Sequence, residues 1–180
     1  MNINLKKQIK EIFAWILTIA LAIVAARLIN KYVIIKAEVP TGSMERTIEV
    51  DDCILGLQTA YLFSEPKRGD ILIFPWPDNP DVTYVKRVIG LPGETVEIKN
   101  GYVYIDGEAI EEPYLKEEMT GEFGPYVVPE GCYFMMGDNR NSSQDSRRWN
   151  NTFLEEENIM AKVLFRYSPS FHWFSDVDYE

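Results

Sequence analysis

The stretch Val82-Thr83-Tyr84-Val85-Lys86-Arg87-Val88-Ile89, stopped by the turn Leu91-Pro92-Gly93, reads as a strong β-strand. β-Branched and aromatic residues suit a pleated surface, and Pro and Gly end it. Residues 95–98 and 102–105 continue the pattern around Asn100-Gly101, a pair favoured in two-residue hairpin turns. Asp106-Gly107 marks a second turn. Working outward, residues 32–39, 52–55, 70–74, 127–128, 132–136 and 162–167 read as further short strands, the last closing the sheet. Pro75, Pro77 and Pro80 mark an irregular loop carrying Trp76. Outside the N-terminal segment there is no long amphipathic pattern, only a turn or two of helix around 151–158. The expected fold is a mainly antiparallel β domain with one N-terminal transmembrane helix.

That helix is the second feature. From Ile12 to Ala26 no residue is charged and Thr18 is the one polar side chain. Fifteen helical residues span roughly 22 Å, short of the ~30 Å hydrocarbon core. A longer span takes in Arg27, Asn30 and Lys31. Arg and Lys near a helix end can reach the headgroups, so one span over about residues 11–31 is feasible. A cleavable signal peptide is the competing reading, with Lys6, Lys7 and Lys10 as its basic start and Ala20-Leu21-Ala22 as its small-residue site. Charge does not set the orientation, because three basic residues precede the span and Arg27, Lys31 and Lys36 follow it.

A chain of 180 residues supports one domain with its own core. Residues 1–36 hold six Lys/Arg and one Glu, and the remainder carries a net charge of −15. So acidic a body excludes a nucleic-acid partner, since phosphate binding needs a basic face. Cys53 and Cys132 allow either a disulfide outside the cell or two buried free thiols. Two Cys and one His do not make a structural zinc site, and no metal or cofactor is implied.

Just after the apolar segment comes Pro40-Thr41-Gly42-Ser43-Met44, a turn signal that can hold a serine exposed with its own N–H free. Tyr84-Val85-Lys86-Arg87-Val88-Ile89-Gly90 follows, then Gly137-Asp138-Asn139-Arg140 running on to Ser143, Asp145, Ser146 and Arg147. Three motifs in this order, over about residues 12–169, resemble the bacterial type I signal peptidases, membrane-bound serine–lysine endopeptidases.

A serine nucleophile needs a base. The single His172 lies near the end of the chain among Phe171, Trp173 and Phe174, as a surface or membrane-edge residue would. Lys86 is the remaining candidate, and alternation gives it Tyr84 and Val88 as apolar company on one strand face. At an ordinary pKa near 10.4, roughly one lysine in a few thousand is neutral at pH 7, so the site must bury the amine. Ser64-Glu65-Pro66-Lys67 matches an S-x-x-K pattern but lacks the S-D-N and K-T-G elements that accompany it.

The resemblance implies Ser43 as nucleophile, Lys86 as base, and the Ser43 N–H with the Thr41 hydroxyl as oxyanion donors. It implies that Ser143 orients the Lys86 amine, that Asp145 and Arg147 form a scaffold pair, and that Asp138 answers Arg87. Met44, Tyr84 and Val85 are its candidates for shallow pockets that select small residues at −1 and −3 of exported preproteins with signal peptides. It places residues 1–10 in the cytoplasm, an anchor over 11–31 in the lipid bilayer of the cell membrane, and an extracytoplasmic catalytic domain over 32–180. About twenty residues between Ile105 and Val127 leave room for a small cap, not the large second β-domain of some relatives. One departure stands out: the family usually reads Ser-Met-x-Pro-Thr, whereas here Arg46 holds the proline's place, which implies a less rigid turn. Two rivals remain, a catalytically silent membrane-tethered β-domain that binds extended peptides and an autoproteolytic repressor-type Ser–Lys protease. The apolar anchor and the lack of a DNA-binding helix pair count against the second.

Overall fold

Strand alternation organises this protein, whose computed structural model describes residues 3–174. The helix α1 runs Ile3–Tyr32 and is followed by strands β1 (Ile34–Glu38), β2 (Cys53–Leu57), β3 (Ile71–Trp76), β4 (Asn79–Gly90), β5 (Thr95–Lys99) and β6 (Tyr102–Ile105). After them come β7 (Glu108–Ala109), β8 (Phe123–Val127), β9 (Cys132–Met136), β10 (Leu154–Glu155), β11 (Ala161–Ser168) and β12 (His172–Trp173). Every pairing is antiparallel.

The larger sheet has the order β1-β2-β11-β3-β4-β9-β10, with β12 on β11. On β3, Ile71 and Ile73 join one core cluster while Leu72 and Phe74 join another, so both faces of this strand are buried. β11, the last strand expected from the sequence, completes the sheet by lying between β2 and β3. The prolines at 75, 77 and 80 do not make an irregular loop. β3 and β4 form a hairpin whose pairing reaches Trp76↔Asn79. Ile73 bonds toward β11 through its carbonyl, so Pro75, two residues on, turns its missing N–H to the same side. β11 begins only at Ala161, opposite Ile73, and leaves no partner there to lose.

The smaller sheet, β7-β6-β5-β8, contains the expected hairpin of β5 and β6 and adds β7 and β8 from the stretch where only a cap was expected. Asn100 and Gly101 turn β5 into β6 with φ of 51° and 82°, the left-handed pair that such a hairpin needs. Ile89 of β4 and Phe134 and Met136 of β9 share one core with Val96, Ile98, Val103 and Ile105 and so join the two sheets. In place of a helix at 151–158 there is one 3-10 turn, Glu156–Asn158. α1 stands apart, long and apolar enough to cross a membrane over Lys7–Tyr32, with none of that window buried in the protein.

Cys53 and Cys132 are free thiols. β11, β3 and β4 separate their strands, and four spacings of ~4.8 Å put them roughly 19 Å apart across the sheet. Bridging tolerates a Cα separation of only about 7 Å. Thiol titration of protein purified under air should therefore find both cysteines reactive after unfolding, and a reductant should leave the melting temperature unchanged.

Candidate active site

Pro40 and Gly42 lead the chain from β1 into a single 3-10 turn, Gly42–Met44. Thr41 precedes it in extended backbone, with φ −133° and ψ 149°, and is exposed. Met44 is 1% exposed and packs with Val39, Ile48, Ile54 and Ile73. It pins the turn from below and leaves Ser43 half-buried above. That burial makes Met44 a core residue with no surface to offer a substrate, contrary to its place among the sequence candidates.

Lys86 reaches this turn from β4. Its Nζ lies 2.7 Å from Ser43 Oγ, donates to the Val85 carbonyl at 2.9 Å, and sits 4.8 Å from the centre of the Tyr84 ring. The residue is 3% exposed. Burial lowers its pKa from 10.5 to about 8, against the upward pull of Asp145 and Asp138. At pH 7 that leaves about one amine in ten neutral. Tyr84 stacks on Trp76 at 5.4 Å and meets Trp149 at 6.1 Å. Burial, then Asp78, raises the Tyr84 hydroxyl, which keeps the phenol neutral beside the amine. Val85 packs toward the Met44 cluster on the other face.

The loop after β9 grips the turn from behind. Asn139 N–H donates to the Ser43 carbonyl at 3.1 Å, and its Nδ2 donates to the Gly42 carbonyl at 2.9 Å. Gly137 passes so close that a Cβ there would lie 2.4 Å from the Ser43 carbonyl oxygen and 2.3 Å from Ser143 Oγ. Arg87 donates to both oxygens of Asp138, at 2.9 and 2.7 Å, and Thr47 Oγ1 donates to the same carboxylate. Arg147 donates to both oxygens of Asp145 at 2.8 Å, and the Gly137 N–H adds a bond of 3.0 Å. Burial pushes the Asp145 carboxyl up, but Arg147 and the Gly137 amide outweigh it and hold it below the usual range.

Ser143 is fully buried. It lies beside the Asp145 carboxylate and favours its charged form. The partners of the Lys86 amine are the Ser43 hydroxyl and the Val85 carbonyl, and no bond from Ser143 stands beside them. The decoys lie elsewhere: Ser64 Oγ donates to the Ala60 carbonyl in an exposed loop, and His172 is exposed on β12.

Several contacts escaped the sequence reading. Arg140 is buried and donates to both oxygens of Glu112, at 2.7 and 2.6 Å, and the Arg87 guanidinium lies 3.9 Å from the centre of the Tyr114 ring. Asn139 stood within a quoted motif, but nothing in spacing shows that its side chain reaches 97 residues back. Arg46, where looseness was expected, takes a left-handed φ of 81° and is held by side-chain bonds on both sides.

Residues 12–168 match the model of a family described as signal peptidase, peptidase S26. The chain is 42% identical over 147 residues to a signal peptidase I of Bacillus licheniformis, covering 76% of this chain and 78% of the relative. It is 38% identical over 179 residues to signal peptidase I S of Bacillus subtilis (strain 168), covering 93% of this chain and 94% of the relative. A crystal structure of a signal peptidase I from Enterococcus faecalis V583 is 37% identical, covers 55% of this chain and 97% of its own, and has a TM-score of 0.49.

The buried amine has a thermodynamic signature. Its folded pKa lies below the unfolded value, so the folded state resists the proton, and the penalty is full below pH 8. It fades as pH rises from about 8 toward 10.5, and the shift corresponds to about 3 kcal/mol. Lys86→Met should therefore melt higher than the parent at pH 7, with the advantage vanishing near pH 10.5. Melting curves of both proteins across that range check this.

Proposed function

The chain belongs to the signal peptidase family, peptidase S26, and from that membership we propose that Ser43 is its nucleophile and Lys86 its general base. The protein is a peptidase that removes signal peptides from exported preproteins. One observation carries the assignment of roles, the buried Nζ of Lys86 at 2.7 Å from Ser43 Oγ. A silent peptide-binding domain is not favoured, because it gives no reason to desolvate an amine against a hydroxyl.

The neutral amine accepts the Ser43 proton as Oγ attacks the scissile carbonyl. The Ser43 N–H and the exposed Thr41 hydroxyl hold the oxyanion. Lys86 then returns the proton to the leaving amine, and water, activated in turn by the amine, releases the acyl-enzyme. Arg87–Asp138 and Arg147–Asp145 hold the loop that fixes the serine turn, and Ser143 fills the space between Gly137 and Asp145. The substrate lies extended along β4. β9 pairs with that strand only from Arg87 onward, so the half that carries Tyr84 and Val85 has an open edge toward that side. Shallow apolar surfaces there, lined by Tyr84 and Val85, select small residues at −1 and −3. Residues 1–10 lie in the cytoplasm, 11–31 anchor the protein in the lipid bilayer, and the body from residue 32 works outside.

Preprotein cleavage in detergent should be lost by about a thousandfold or more in both Ser43→Ala and Lys86→Ala, with circular dichroism unchanged. Substantial turnover by Lys86→Ala would remove the lysine from the base's role. Below pH 8 the protonated amine cannot accept a proton, so wild-type rate should fall about tenfold per pH unit and level off above 8. A rise centred near 6.5 would mean a histidine base.

Protease added to intact protoplasts should degrade the acidic body and spare the first ~30 residues. A protected body would reverse the orientation.

A further inference from the structure

The nucleophile turn does not end where the catalytic motif does. Arg46 is a charged, exposed residue at φ 81°, a left-handed conformation that side-chain-bearing residues avoid unless their surroundings impose it. Two contacts impose it. Its N–H donates to Glu49 Oε1 at 3.1 Å, and its guanidinium Nη1 donates to the carbonyl of Leu115, 69 residues away. The preceding Glu45 is drawn the same way, since Lys116 Nζ pairs with its carboxylate and Asn139 Nδ2 donates to that carboxylate at 3.2 Å. The Glu45 side chain folds back over the turn so closely that a Cβ on Gly42 would lie 2.2 Å from Oε1.

These contacts close a triangle of three chain segments. The serine turn holds residues 115–116 through Glu45 and Arg46. Residues 115–116 hold the loop after β9, where Lys116 N–H donates to the Asp138 carbonyl at 3.4 Å. That loop holds the serine turn through Asn139 and through Asp138, which accepts from Thr47, the residue next to Arg46. A turn tied at two points to one neighbour can still pivot about them. A third tie from an independent segment removes that freedom.

We infer that Arg46 is a positioning residue for Ser43, acting through the Leu115 carbonyl to hold the nucleophile turn against the segment that links β7 to β8 in the smaller sheet. This rests on the Ser43–Lys86 reading and adds to it. The backbone at residue 46 is also closed to proline, whose ring fixes φ near −65°. The turn is thus built around a side-chain clasp, and a proline ring cannot replace it.

The test measures kcat and KM for preprotein cleavage by the full-length protein in detergent, with melting curves and pH profiles, for Arg46→Ala, Arg46→Gly, Arg46→Lys and Arg46→Pro. Arg46→Ala should lower kcat by ~10-fold or more at nearly unchanged KM and melting temperature, since a displacement of about 1 Å can cost 100-fold. The pH at which the rate levels off should stay near 8, because Lys86 keeps its surroundings. Arg46→Gly relieves the backbone but removes the clasp, and should lose as much as Arg46→Ala. Arg46→Lys keeps a donor able to reach Leu115 and should recover most of the rate. Arg46→Pro should be the poorest of the four. The inference is overturned if Arg46→Ala, or Arg46→Pro, matches wild type while Ser43→Ala is inactive. It is also overturned if the loss follows a drop in melting temperature, or if Arg46→Lys is no better than Arg46→Ala. Full activity in Ser43→Ala would instead defeat the underlying reading.

Discussion

The contact between a buried lysine amine and a serine hydroxyl, Nζ to Oγ at 2.7 Å, sets the terms for the rest of the structure. An ammonium resists desolvation, so burial brings the pKa of this amine down toward neutrality. The aromatic stack of Trp76 and Tyr84, with Trp149 beside it, and the strands β3 and β4 keep water away. Asp145 and Asp138 work in the opposite direction and favour the charged amine. Both are already engaged by arginines, which limits that pull. The amine's pKa is therefore a balance between an apolar wall and two neutralised carboxylates.

Those carboxylates also fix geometry. Arg87–Asp138, Arg140–Glu112 and Arg147–Asp145 are almost wholly buried, and removing one partner from such a pair leaves an uncompensated charge at a cost of about 3–5 kcal/mol. Surface pairs seldom exceed about 1 kcal/mol. The loop after β9 is thus held in one arrangement, and through Asn139 and Gly137 it hands that rigidity to the serine turn. The smaller sheet takes part as well, because the chain leaving it carries Glu112, Leu115 and Lys116 to the same place. A region that looks like a cap in the sequence acts as a brace for the serine turn.

The open half of β4 lies beside the amine because β9 covers the strand only from Arg87 onward. An extended chain laid there would gain strand-type bonds while passing the serine turn, which suits a peptidase that acts on extended segments. α1 enters the same sheet through β1, its neighbour in the chain, and Gln58 ties the end of the helix to the sheet by donating to the Lys31 and Ile34 carbonyls. The apolar helix and the larger sheet are therefore joined without a loose linker.

The sequence by itself determined what local chemistry can encode. Alternation marked β4 and the face shared by Tyr84 and Lys86, Asn100-Gly101 marked its hairpin, and an uncharged run marked α1. The order of three motifs singled out Ser43 and Lys86 as candidates, and the structure brings their side chains together. Only the tertiary structure decided the rest, because the deciding contacts join residues far apart in the chain. Met44 looks like surface beside an exposed serine until Ile48, Ile54 and Ile73 close over it. Pro75 reads as a strand breaker until β11 proves to stop short of it. The sequence does not show that the Lys86 amine donates to the Val85 carbonyl on its own strand. Arg46 reads as a lost proline until its guanidinium meets Leu115, 69 residues on. A side chain's neighbours within its own strand follow from a period of two, but its partners across the fold follow from how sheets stack and loops cross, which no local period records.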